Sequence, residues 1–147
     1  MQDIIDTLKQ VKTIALIGAS DKPQRASHRV MAYLQKQGYR VLPVNPQLAG
    51  QTLHNETVFA SLAGVVANIS EPIDMVDVFR LPKYLADIVE QCHTLAIGKI
   101  WTQLGVIDAD AQALAQQYGI DMIVDRCPKI DIPTLQSQGL LSEPVHG

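Results

Sequence analysis

The chain has 147 residues, 47% of them apolar and 18% charged, with a net charge of −3. That is enough for one domain with a sizeable core, and nothing in it draws the protein in bulk to nucleic acid or an anionic membrane. No apolar run approaches the ~20 residues of a membrane span, and residues 1–12 carry Asp3 and Asp6 without the long apolar stretch of a signal peptide. A cytoplasmic location is the expectation. Two lone cysteines, Cys92 and Cys127, fit a reducing compartment, and His28, His54, His93 and His146 show no metal-ligand spacing.

Ile4, Leu8 and Val11 recur at helical spacing, so residues 2–11 are predicted as a short amphipathic helix. Thr13 to about Gly18 is the first strand; its run Ile14-Ala15-Leu16-Ile17 is apolar on both faces, as a strand inside a parallel sheet requires. Gly18 allows a sharp turn and close approach of a ligand to the backbone. Asp21–Ala26 is a polar loop, Ser27 a predicted N-cap, Val30, Met31 and Leu34 one helix face, and Gly38 the helix stop. Tyr39–Val44 is a second strand, short or bent at Pro43. Gly50–Leu53 is a small extra strand and Val58–Leu62 a helical turn. Asp74–Phe79 is a third strand, after which Pro82 opens a helix with Leu85, Ile88, Val89 and Cys92 on its inner face. Ala96–Trp101 is a fourth strand. Asp108 caps a helix that Gly119 stops, and Ile120–Val124 is a fifth strand. The segment after Pro128 is read as irregular. Residues 1–136 form one domain, and 137–147 are expected to fray.

Strands alternating with helices predict an α/β fold: a Rossmann-like, doubly wound, mostly parallel sheet of five to six strands with helices on both faces. In such sheets the ligand lies at the strands' carboxyl ends. Those ends are Gly18-Ala19-Ser20, Val44-Asn45-Pro46, Phe79-Arg80-Leu81-Pro82, Trp101-Thr102-Gln103 and Asp125-Arg126-Cys127. The dinucleotide fingerprint G-x-G-x-x-G is absent, with Ser20 where its second glycine would stand. The second strand ends in Asn45 rather than an acid. No G-x-x-x-x-G-K-[ST] is present either.

Five motifs, in order, resemble the small stand-alone CoA-binding protein family: Ile-Ala-Leu-Ile-Gly-Ala-Ser-Asp (14–21), Gly-Tyr-Arg-Val-Leu-Pro-Val-Asn-Pro (38–46), Val-Asp-Val-Phe-Arg (76–80), Trp-Thr-Gln-Leu-Gly-Val (101–106) and Asp-Arg-Cys (125–127). The likeness spans about residues 4–135 and departs at Thr102 and Pro128. That family resembles the CoA-binding domain of the succinyl-CoA synthetase alpha subunit and of NDP-forming acyl-CoA synthetases. The resemblance implies a Rossmann-type fold holding coenzyme A or an acyl-CoA at the strand ends. Gly18, Ala19, Ser20 and Ser27 would then form the phosphate turn, and Arg25, Arg29, Arg80 and Lys83 supply cations for the phosphates. Val44, Asn45 and Pro46 would form an uncharged wall. Phe79, Pro82, Trp101 and Gln103 would border the pantetheine arm.

Each residue also has a plainer reading. Arg25 and Arg29 fit a solvated helix face, Lys83 a surface position, and Trp101 a core position. Asp77, inside a strand, fits a role in satisfying backbone donors. Cys127 beside Arg126 fits either an activated thiol or a small buried filler, and His28 has no acid or nucleophile beside it in sequence. No catalytic set is legible, and the phosphohistidine domain of the synthetases is not expected here. The reading is a CoA or acyl-CoA binder without catalysis of its own, with no metal, nucleic acid or membrane and with its protein partner open. Its rivals are an NADP-dependent reductase, with Arg25 or Arg29 on the 2′-phosphate, and a subunit that delivers CoA to an enzyme.

Overall fold

The computed structural model describes the whole chain, Met1 to Gly147. In order, the elements are α1 (Gln2–Gln10), β1 (Thr13–Ile17), α2 (Ala26–Lys36), β2 (Arg40–Val44), β3 (Thr52–Leu53), β4 (Glu56–Thr57), α3 (Leu62–Asn68) and β5 (Met75–Val78). A 3-10 turn, Pro82–Tyr84, then runs into α4 (Leu85–Thr94), followed by β6 (Lys99–Thr102), α5 (Ala109–Tyr118), β7 (Asp121–Ile123) and α6 (Pro128–Ser137). Five strands form one parallel sheet in the order β2-β1-β5-β6-β7, and β3 and β4 form a separate hairpin. The fold is the expected α/β, Rossmann-like one. No helix is long and apolar enough to cross a membrane.

The apolar run of β1 is explained by its two partners. Ile14 and Leu16 enter the core shared with α1, α2 and α6, while Ala15 and Ile17 enter the core beneath α3, α4 and α5. Pro43 costs the ladder nothing, because β2 is the edge strand of the five. Its carbonyl points outward and accepts from the Phe59 amide at 2.9 Å, so its missing N–H also faces away from β1.

Four local expectations are corrected. The helix after the polar loop begins at Ala26 with Arg25 at the N-cap, so Ser27 is a buried first-turn residue instead of the cap. Val58–Leu62 is not a helical turn: Phe59 bridges to Val44, and α3 starts at Leu62, capped by the Ser61 Oγ accepting from the Gly64 amide at 3.0 Å. The segment after Pro128 is helical. Pro128, Asp131, Ile132 and Leu135 form its buried stripe, at i, i+3, i+4, i+7, and Pro133 within it is what masked the helix in the sequence. The stretch 137–147, expected to fray, packs instead. Leu141 and Val145 are buried in the α1/α2/α6 core. The His146 amide donates to the Gln37 carbonyl at 2.8 Å, and the Gln37 Oε1 accepts from the Val145 amide at 3.2 Å.

Candidate functional site

In the strand order 2-1-5-6-7 the chain reverses direction across the sheet between β1 and β5, and a crevice opens where their carboxyl ends diverge. Two concavities meet there over Gly18, Asn45, Gln47 and Phe79. One lobe, about 400 Å³, lies before the N-terminus of α2 and is lined by Ala19, Ser20, Asp21, Lys22, Arg25, Ala26, Ser27 and Leu48. The other, about 470 Å³, lies between α3 and α4 and is lined by Ile17, Val44, Pro46, Ala60, Ser61, Leu62, Arg80, Tyr84, Asp87, Ile88 and Gln91. Both volumes fall in the range of small-molecule sites.

The turn after β1 is fixed from both sides. The Gly18 and Ala19 amides both donate to the Val44 carbonyl, at 3.1 and 3.2 Å. The Asn45 amide nitrogen donates to the Ala19 carbonyl at 2.8 Å, and its Oδ1 accepts from the Gln47 amide at 2.9 Å. Asn45 is therefore a strut between two strand ends, with both polar atoms used internally. Gly18 has φ +92°, and a Cβ there would overlap the Phe79 carbonyl. The glycine is demanded by the neighbouring backbone, whatever the cleft holds.

The donors that remain open belong to α2. Its ladder begins with the Arg29 amide on the Arg25 carbonyl, at 3.4 Å, and no protein acceptor reaches the amides of Ala26, Ser27 or His28. No side chain caps this end, and its first turn carries no acid. The positive end of the helix dipole thus faces the smaller lobe without a cap, with Lys22 and Arg25 exposed beside it and Asp21 the one carboxylate on the same wall. The Ser20 Oγ accepts from the Lys22 amide at 3.1 Å, which leaves its own hydrogen free to donate.

The cations expected from the sequence divide. Arg25 and Arg80 line the cleft. The Arg80 guanidinium lies 4.1 Å from the Tyr84 ring centroid and has no carboxylate partner. Arg29 donates to the Gln24 and Pro23 carbonyls, at 2.6 and 3.4 Å, and so fastens the loop rather than lining the cleft. Lys83 is exposed 5.2 Å from the other reach of the Tyr84 ring, and Pro82 opens the 3-10 turn; neither lines a lobe.

Two residues expected to border the pantetheine arm are core residues. Trp101 is fully buried and its Nε1 donates to the Arg126 carbonyl at 2.8 Å. Gln103 is buried and its Nε2 donates to the Asp77 Oδ1 at 2.7 Å. Both belong to the end of β6, where Trp101 packs in one core with Ile132 and Leu135 of α6 and Gln103 turns inward to Asp77. Burial pushes the Asp77 carboxyl up to about 7, and hydrogen bonding from Gln103 and from the adjacent Val78 amide only partly opposes this. Cys127 is half-buried against the core at the start of α6. The His28 ring lies 4.2 Å from that of His54, and burial, then the charge of His54, lowers its pKa.

Sequence reasoning missed Tyr84, Asp87 and Gln91. They sit three and four residues apart around the Ile88 turn of α4, a stripe beside the core-facing one, and that period is a usable signal. Ser61 and Gln47 come from the irregular stretch and carry no such signal. Lys22, in the polar loop, carries no such signal either.

The arrangement can hold an elongated ligand whose anionic part lies over the α2 amides, and whose less polar part enters the lobe under α4. Comparison with known proteins points the same way. Residues 12–133 match the family model described as the CoA binding domain. The uncharacterized protein YneT of Bacillus subtilis (strain 168) is 31% identical over 128 residues, which are 87% of this chain and 90% of that protein. A solved structure from Thermus thermophilus, described as cell-free ID.343, superposes with a TM-score of 0.82 at 39% identity, over 91% of this chain and 97% of the other. A hypothetical protein from Pyrococcus horikoshii OT3 does so with a TM-score of 0.83 at 32% identity, over 92% and 91%. With the family model covering the sheet, the turn and both lobes of the cleft, the chain belongs to the CoA-binding-domain family.

Proposed function

We propose that this protein binds coenzyme A or an acyl-CoA in the two-lobed cleft and performs no bond-making of its own. The observation that carries this reading is the uncapped N-terminus of α2, with no acid in its first turn and with Lys22 and Arg25 outnumbering Asp21 beside it, opening into a second lobe of mixed polarity. A pyrophosphate supplies the acceptors that the α2 amides lack. Arg80 offers a phosphate a planar pair of donors from the other side. The pantetheine arm or the adenine has Ile17, Val44, Leu62 and Ile88 to lie against. The hydroxyls of Ser20 and Ser61 suit holding rather than attack: they are engaged with the Lys22 and Gly64 amides, not with a base.

Titration calorimetry tests the ligand. CoA is expected to bind more tightly than NADH or NADPH, because the second strand ends in Asn45, whose polar atoms are spent on Ala19 and Gln47. Tighter NADPH binding would instead favour a reductase. Arg80→Ala is expected to weaken CoA by about 10–150-fold, the value of one charge-assisted bond at ~1.5–3 kcal/mol. An unchanged Kd would place the phosphates elsewhere. Time-resolved mass spectrometry of an acyl-CoA panel tests the absence of chemistry, and steady thioester loss abolished by Cys127→Ala would overturn it.

A delivery role to a partner enzyme is a second reading. It is favoured by exposed Leu81, Leu104 and Ile107 on the loops that follow β5 and β6, and by exposed Ile130 in the first turn of α6, at the same edge of the sheet as the cleft.

A further inference from the structure

The parity of β5 puts an aliphatic side chain into a core at every position but one. Asp77 stands between Leu16 of β1 and Trp101 of β6 and is fully excluded from solvent. Its Oδ1 accepts one hydrogen bond, from Gln103 Nε2 at 2.7 Å. Its Oδ2 is the one buried side-chain polar atom in the protein without a partner. A carboxylate taken out of water needs several donors, whereas a carboxylic acid needs far less. One well-formed donor, with the adjacent Val78 amide only a weak second, suits the acid. The charged groups of the helices on this face do not supply the difference. Asp3, Asp6 and Lys9 of α1, His28, Arg29 and Lys36 of α2, and Lys129 and Asp131 of α6, with the Arg126 that Asp131 holds, are not among the causes that set its titration.

Gln103 is also the hub of the loop that follows β6. Its amide donates to the Val78 carbonyl at 3.3 Å, and its carbonyl accepts from the Val106 amide at 3.0 Å. The adjoining Thr102 Oγ1 donates to the Val106 carbonyl at 2.7 Å and accepts from the Asp125 amide at 3.0 Å. Val78 is followed directly by Phe79 and Arg80 of the cleft. We propose that Asp77 and Gln103 form a proton-operated latch. With the carboxyl protonated, residues 103–106 are held closed on the sheet edge; ionisation strengthens the Gln103 bond itself but leaves Oδ2 as a buried charge that draws water in, and that water loosens the loop next to the cleft. The device does not depend on what the cleft binds.

The sign follows from linkage. The folded-state pKa is raised, so the latch's contribution to stability is fully present below the unfolded value near 3.8 and is lost as pH rises through about 7. The test is hydrogen exchange on the intact protein at pH 5.5 and 8.5, corrected for intrinsic rates. The Val106 and Asp125 amides of the wild type are expected to lose protection at least about tenfold at the higher pH, while Asp77→Asn keeps it. Unchanged protection in the wild type, or equal loss in the variant, would overturn the latch. Should Asp77→Asn fail to fold, the carboxyl carbon shift of Asp77 in the wild type decides the matter. A midpoint above about 6 supports the latch and one below about 5 overturns it.

Discussion

Gly18→Ala is expected to destabilise the protein by at least about 3 kcal/mol, well beyond the ordinary glycine-to-alanine penalty in a turn. Two costs combine. The backbone sits at φ +92°, where an L side chain is strained, and the new Cβ would lie 2.9 Å from the Phe79 carbonyl carbon and closer still to its oxygen. Neither backbone yields easily: the Phe79 amide donates to the Ile17 carbonyl at 2.8 Å, holding the ends of β1 and β5 together. At ~2–4 °C per kcal/mol for a domain of this size, the melting temperature should fall by roughly 10 °C. Gly105→Ala is the control. Its φ is +82° but no atom lies within 4 Å of the added Cβ, so only the conformational cost of ~1 kcal/mol remains. Urea unfolding of the pair separates the clash from the dihedral. Equal losses would show that the Phe79 carbonyl moves aside and that Gly18 is required for its turn alone.

Deleting residues 139–147 is expected to cost about 3–5 kcal/mol, because it strips two buried aliphatic side chains, Leu141 and Val145, from the α1/α2/α6 core. It also removes the Val145 and His146 donors from Gln37, and the His146 ring from the Val11 carbonyl, which it meets at 2.8 Å. A double-mutant cycle sharpens the expectation. A Cβ on Gly38, at φ +92°, would lie 2.7 Å from the His146 carbonyl carbon. Gly38→Ala should therefore be severe in the full chain and cost only about 1 kcal/mol in the truncated one. Additive losses would mean that the tail does not press on Gly38, and unaltered stability on truncation would refute the clasp.

The sequence by itself determined the elements whose burial is written in a local period. The two-faced apolar run of β1, the helical stripe of α4, the Asp108 cap and the Gly119 stop of α5 all stand where they were expected. From these the alternation of strands and helices follows, and with it the edge of the sheet where the cleft lies. The tertiary structure alone decided which strand-end residues face that cleft. Val44 and Phe79 line it while Trp101 packs with Ile132 and Leu135 of α6 and Gln103 turns inward to Asp77, and no property of the fourth strand reports what a helix later in the chain will bury. It also decided that Arg25 stays open while Arg29 is spent on a loop, that Gly18 answers to Phe79, and that the last ten residues clasp α2. Those are contacts between segments distant in the chain. Periodicity records that a side chain is buried, but only the packed neighbours settle what it is buried against and which donors are left over for a ligand.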